Sequence, residues 1–73
     1  MLYIKLDTYQ QAVDLNARVT NDCVADQKWT DGVTNNYCNP DFDQTITKWL
    51  VPILPGYEKY FTEQELENAY SNP

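Results

Sequence analysis

The clearest pattern of apolar and polar positions runs from Thr45 to Tyr57, in the sequence TITKWLVPILPGY. One set of side chains recurs at a period of two, and it consists of Thr45, Thr47, Trp49, Val51 and Ile53. The alternate positions hold Ile46, Leu50 and Leu54. A period of two is the side-chain repeat of a β-strand, so the pattern predicts a strand near 45–53 with at least one buried face.

Two proline positions refine this prediction. Pro52 has no backbone N–H to donate, so it is expected at a sheet edge or where ladder pairing ends. Pro55 and Gly56 follow as a pair typical of turns, so the strand is expected to stop there.

The N-terminal residues predict a short strand near 2–6 and then a helix near 8–24, capped by Asp7 or Thr8. The apolar arc of this helix consists of Tyr9, Ala12, Val13, Ala17, Val19, Cys23 and Val24, with Leu15 at its margin. Asn16 and Thr20 lie inside the arc. We expect each to hydrogen-bond to backbone or to a neighbouring loop, and the alternative is a polar contact point for a partner.

A second helix is predicted near 62–70. Thr62-Glu63-Gln64-Glu65 has the sequence of a capping box, in which the first and last side chains bond each other's backbone N–H. Together the elements predict a single small α+β domain. Its expected core consists of Ile4, Val13, Ala17, Trp49, Val51, Ile53, Tyr57, Phe61 and Leu66.

Residues near 27–38 are polar and rich in turn-forming types, and they predict an irregular hairpin suited to recognition. Ten aromatic residues in a chain of 73 suggest that some face a partner, because Tyr and Trp bury large areas and keep a polar group. The candidate partner-binding residues are Trp29, Tyr37, Asp41, Asp43, Tyr60 and Tyr70. Some of the aromatic residues are expected to be partly exposed, from the set of Tyr3, Trp29, Tyr37, Tyr60 and Tyr70. Trp29 has a second interpretation, as a cover over the small core.

Composition narrows the classes of partner. The formal charge is −6, from eleven acidic and five basic residues, and there is no histidine. Direct binding to nucleic acid or to an anionic membrane needs clustered Lys and Arg, so neither is expected, whereas a basic protein partner is. Self-association would be another way of covering exposed aromatic side chains. Cys23 and Cys38 are predicted to be reduced, largely buried thiols, and a disulfide across the intervening loop is the alternative. We expect a cytoplasmic protein, or one that assembles into something inside a cell.

No catalytic pattern can be assembled from the sequence. Asp41 to Ile46 matches the DxDx[TV] motif of haloacid-dehalogenase-type phosphatases, but the chain is too short for their doubly wound sheet. Asn39, Asp41 and Asp43 resemble the first ligands of a calcium loop, but Gln44 and Leu50 occupy the positions that need Gly and Glu. The favoured interpretation is an acidic loop that leads into the strand, in a protein that is not an enzyme and has no cofactor.

The pairing of MLYIKLDTYQQAVDLN with KWLVPILPGYEKYFTEQELENA resembles small uncharacterised proteins encoded by tailed bacteriophages. The resemblance covers about half of the chain and includes no catalytic motif. It implies a phage or prophage accessory protein, either a small virion component or an early protein that acts on a host factor. The functional hypothesis is a non-enzymatic module that docks on a host or virion protein. The alternatives are an acidic mimic of nucleic acid and a structural component of the virion.

Overall fold

The fold is a four-stranded antiparallel sheet with one long helix packed on it. The structure, a computed structural model, describes residues 1–26 and 36–71. The elements in chain order are β1 (Leu2–Leu6), α1 (Tyr9–Ala25), β2 (Asp41–Asp43), β3 (Lys48–Ile53), a 3-10 helix (Glu58–Tyr60), α2 (Glu63–Glu67) and β4 (Tyr70–Ser71). The strands lie in the order β2-β3-β1-β4, and the predicted α+β class is confirmed. Most of the hairpin predicted near 27–38, including Trp29, lies outside the described residues.

The start of the central strand was predicted three residues too early. β3 begins at Lys48, because a turn over residues 44–47 joins it to β2. Asp43 fixes this turn by accepting a hydrogen bond from the Thr45 N–H at 2.9 Å. Thr47 has a φ of 55°, a left-handed conformation that ends the extended run despite its β-branched side chain. The predicted acidic loop is therefore wrong in part, since Asp41–Asp43 is a strand.

Both predicted helix starts are confirmed. Thr8 is the N-cap of α1 and forms a capping box with Gln11, and Thr62 forms the predicted box with Glu65. The end of α2 was predicted too late, since the helix stops at Glu67 and the chain then pairs as β4 with β1. In the described ranges, no helix is long and apolar enough to cross a membrane.

The core lies between α1 and one face of the sheet. Ile4, Val51, Ile53 and Phe61 are buried as predicted, whereas Val13, Trp49, Tyr57 and Leu66 are only half-buried. Ala17 is exposed, so its assignment to the core is wrong. The buried positions of α1 are Ala12, Leu15, Asn16, Val19, Thr20 and Cys23. Leu15 thus lies on the inward face of α1. The predicted arc was centred to one side of this face, because it was drawn from the apolar residues and took no account of the buried Asn16 and Thr20.

Asn16 and Thr20 hold the segment that enters β2. Asn16 Oδ1 accepts a hydrogen bond from the Cys38 N–H at 2.9 Å. Thr20 Oγ1 accepts one from the Tyr37 N–H at 3.0 Å and donates one to the Asn16 carbonyl at 2.6 Å. These bonds confirm the expectation that both side chains satisfy backbone groups of the helix and of a neighbouring loop.

Tyr37 takes the place of a strand beside the end of β3. Its hydroxyl donates to the Pro52 carbonyl at 2.6 Å and accepts from the Leu54 N–H at 2.8 Å. The pairing of β2 with β3 ends at Asp41 and Leu50, so these groups lie beyond the first residue of β2. Pro52 therefore lies past the end of this ladder, as predicted, although it still pairs with Tyr3 of β1. Burial is the main cause that raises the pKa of Tyr37 to about 12, so the hydroxyl keeps the proton that it donates.

Arg18 joins α1 to the start of α2. Its guanidinium donates to both carboxylate oxygens of Glu65, at 2.7 and 3.0 Å, and to the Tyr60 carbonyl at 3.2 Å. The hydrogen bond from Arg18 is the main cause that lowers the pKa of Glu65 below its ordinary value of 4.5. A carboxyl group whose pKa is lower in the folded than in the unfolded protein stabilises the fold at pH values above its unfolded-state pKa. This contribution is lost as the pH falls through the folded-state pKa.

We therefore expect Glu65→Gln to lower the free energy of unfolding near neutral pH. In this variant the free energy should also fall less steeply as the pH drops below about 5. The pair is partly exposed, so the effect at neutral pH should be about 0.5–1 kcal/mol. Thermal unfolding from about pH 7 to about pH 3 measures both features. Glu67→Gln, at an exposed position, is the matched control. An equal slope with pH in Glu65→Gln and the unaltered protein would contradict the assignment.

Candidate protein-binding surface

The structure separates the residues that the sequence grouped as partner-binding. Asp41 and Asp43 lie together on β2, whereas Tyr70 lies on β4 at the opposite edge of the sheet. Tyr37 and Tyr60 are buried, so their expected exposure is wrong. Tyr37 is turned inward by its bonds to β3, and Tyr60 packs against Tyr57 with ring centroids 5.9 Å apart. Trp29 lies outside the described residues.

A different set of aromatic side chains forms a surface cluster, which we call the aromatic tier: Tyr9, Phe42 and Trp49. The ring centroid of Trp49 lies 4.8 Å from that of Tyr9 and 5.1 Å from that of Phe42. Trp49 is half-buried, but Tyr9 is 55% exposed and Phe42 is 44% exposed. The tier therefore presents two large side chains to solvent on a third that is anchored in the fold.

Local structure explains why these three rings meet. Phe42 and Trp49 are direct cross-strand partners, so their side chains lie on the same face of the sheet. Tyr9 is the first residue of α1, immediately after the Thr8 cap, and the start of the helix places its ring against Trp49. Sequence reasoning missed Tyr9 and Phe42 as surface residues. The alternation in Asp41-Phe42-Asp43 was the available signal, because it has the period of a strand with one aromatic face.

Asp41 and Asp43 lie on the other face of β2, because neighbours along a strand point to opposite sides. Lys48 is the cross-strand partner of Asp43, yet its ammonium group forms its ion pair with Asp7. Within residues 1–26 and 36–71, neither Asp41 nor Asp43 forms an ion pair. β2 thus presents an aromatic ring on one face and two carboxylates without a paired base on the other.

The acidic residues and cysteines of the described ranges lack the features of a metal, nucleophile or phosphatase site. No group of three or more His, Cys, Asp or Glu within them could hold a metal ion. Both cysteines are thiols, as predicted. Burial, and then Asp41, raise the pKa of Cys38 to about 11, so this thiol is not activated as a nucleophile. The DxDx[TV] segment begins on a short antiparallel edge strand and continues into the turn over residues 44–47, which is not the setting that the phosphatase motif requires.

Comparison of the chain with protein-family models, with curated proteins and with solved structures gave no match.

Proposed function

We propose that this chain is a non-enzymatic protein-binding module whose contact surface is the aromatic tier together with the carboxylates of β2. The observation that carries the proposal is the exposure of Tyr9 and Phe42 on either side of Trp49. Exposed aromatic side chains are favoured as interface anchors, because a partner can remove a large apolar area from water.

The rings of the tier also contact one another in the unbound chain. Contact with Trp49 restricts the rings of Tyr9 and Phe42, so a partner would not bear the whole entropic cost of fixing them. Trp49 itself is held by the pairing of β3 with Leu6 on one side and with Phe42 on the other. A preformed aromatic anchor on a rigid sheet suits a docking surface better than the same residues in a loop would.

Charge indicates the kind of partner. The chain carries a formal charge of −6, and Asp41 and Asp43 add local negative charge on β2, on the face of the strand opposite the tier. A basic protein surface would be attracted to this edge of the sheet and oriented by it. If the resemblance to phage-encoded proteins is followed, such a partner would be a host or virion protein, and the proposed role is that of a phage or prophage accessory factor.

A nucleic-acid mimic is the less favoured function. A mimic needs spaced carboxylates that are available to a basic groove, but three of the acidic residues already form ion pairs with the chain's own bases. These pairs are Lys48 with Asp7, Lys59 with Asp26, and Arg18 with Glu65. The exposed aromatic tier would also have no role in such a mimic.

The test is capture of partners from an extract of the natural host by three immobilised proteins. These are the unaltered protein, Phe42→Ala and Val24→Ala. Val24 is the matched control, because its exposure of 45% is nearly the same as that of Phe42. It lies near the C-terminal end of α1, whereas Tyr9 of the tier is at the N-terminal end. We expect one or more proteins to be retained by the unaltered chain and by Val24→Ala, and to be lost with Phe42→Ala.

A salt titration of the retained proteins separates the two functions. A partner held by the aromatic tier should keep much of its affinity as salt rises, whereas a partner held by carboxylates alone should be released steeply. Retention that is equal for Phe42→Ala and Val24→Ala would contradict the proposed surface. Release by salt together with indifference to Phe42→Ala would favour the mimic instead.

A further inference from the structure

The outer edge of β2 has backbone groups turned away from the sheet. The bonds from Tyr37 show that Pro52 and Leu54 direct their backbone groups away from β1, toward the side on which β2 lies. Directions alternate along a strand, so Leu50 and Lys48 also face β2 and bond with their partners Asp41 and Asp43. The N–H and C=O of Phe42 must then point outward. In the described part of the chain, no hydrogen bond to either group is found.

An added strand opposite Phe42 would meet a defined chemical pattern. Its residue facing Phe42 would exchange two backbone hydrogen bonds with it and place its side chain on the aromatic tier. The residues on either side would lie opposite Asp41 and Asp43, on the other face of the sheet. Complementarity therefore requires an apolar residue between two basic ones.

Charge argues against a second copy of this chain at the edge. Antiparallel pairing of two β2 strands about Phe42 would set Asp41 of each copy opposite Asp43 of the other. Four carboxylates would then share one face without a base between them, and like charges directly opposite each other destabilise a sheet.

We propose that β2 binds an extended segment of the partner by strand addition, and that the segment alternates basic and apolar residues. The inference rests on the proposed function and specifies how its partner is recognised. Phe42 supplies the backbone bonds, the aromatic tier receives the apolar side chain, and Asp41 and Asp43 receive the two basic ones.

Fluorescein-labelled seven-residue peptides test this mode by anisotropy. The probe alternates Arg and Val, and its control has the same composition with the arginines and valines in separate blocks. Two further peptides are N-methylated, one on the valines and one on the arginines. In an added strand the valine N–H groups face β2 and the arginine N–H groups face away, so the two methylated peptides form a matched pair.

We expect the alternating peptide to bind about tenfold more tightly than the block peptide, as two backbone hydrogen bonds would produce. Methylation of the valines should remove this advantage, whereas methylation of the arginines should leave it. Asp41→Asn combined with Asp43→Asn should weaken the alternating peptide about fivefold at low salt, the effect of two exposed ion pairs.

Equal binding of the alternating and block peptides would overturn the strand mode, and so would equal effects of the two methylations. A dimer of the protein in sedimentation that Phe42→Ala dissolves would overturn it as well, because the edge would then belong to a second copy. If host proteins are still lost with Phe42→Ala while the peptides fail, the docking surface stands and only the strand mode falls. If Phe42→Ala captures host proteins as well as the unaltered chain does, the proposed function itself fails, whatever the peptides show.

Discussion

Tyr37→Phe is expected to lower the free energy of unfolding by about 2 kcal/mol, because the hydroxyl that joins Pro52 to Leu54 is removed. The ring would still fill its place in the core, but a carbonyl and an N–H in a partly buried site would lose their partner. A domain of this size is stabilised by about 4–11 kcal/mol in total, so the loss is a large share. Thermal unfolding should show a midpoint lower by about 8–16 °C.

Tyr9→Phe is the matched control, since it removes the same hydroxyl from an exposed ring. Its free energy of unfolding should stay within about 0.5 kcal/mol of that of the unaltered protein. If both substitutions shifted the unfolding midpoint by the same small amount, water would be replacing the Tyr37 hydroxyl without loss of stability. The proposed contribution of its bonds to Pro52 and Leu54 would then be refuted.

Ile53→Ala is expected to have the largest effect on stability, about 2–4 kcal/mol. Ile53 is 6% exposed and belongs to the core cluster between α1 and the sheet. Truncation removes buried methyl groups and leaves a cavity that β3 cannot close, because its pairing with β1 fixes the backbone. Unfolding in urea, followed by tryptophan fluorescence, measures the change directly.

Leu2→Ala provides the comparison within the same register. Leu2 lies directly opposite Ile53 on the same face of the sheet, but it is 45% exposed. Its truncation should lower the free energy of unfolding by less than about 1 kcal/mol, since much of the side chain already contacts water. If both substitutions lowered the free energy of unfolding by similar amounts, Leu2 would belong to the core as fully as Ile53 does.

The elements best predicted from the sequence are those whose signals are local. Thr8 and Thr62 begin helices through bonds to residues three positions later, so a short stretch of sequence contains the whole interaction. The turn at Pro55 and Gly56 is similar: the Tyr57 N–H bonds to the Leu54 carbonyl at 3.0 Å, and Gly56 has the positive φ of 87° that the turn requires.

The elements that were missed depend on distant residues. β2 contains two acidic residues out of three, and only pairing with β3 makes it a strand. β4 is two residues long and pairs with β1 from the far end of the chain. Thr47 has a β-branched side chain, which favours strands, so its left-handed backbone was not predictable from the alternation that surrounds it.

The candidate surface was predictable only in part, for the same reason. Asp41 and Asp43 were identified from their charge, but the contact of Tyr9 and Phe42 with Trp49 joins three separate segments of the chain. Tyr37 and Tyr60 were expected at the surface because composition alone favoured exposed tyrosines. The buried carbonyl and N–H that bind the Tyr37 hydroxyl could not be recognised before β3 was placed.

β1 comes early in the chain yet lies in the interior of the sheet, and this order bears on how fast the protein folds. Leu2 pairs with Ile53 and Leu6 with Trp49, so the ladder joins residues more than 40 positions apart. Closing such a loop reduces chain entropy before the new contacts compensate, whereas α1 forms through bonds four residues apart. We therefore expect the meeting of β1 with β3 to be the slow step of folding. Until it occurs, two apolar strands remain exposed to other chains, so refolding should be most efficient in dilute solution.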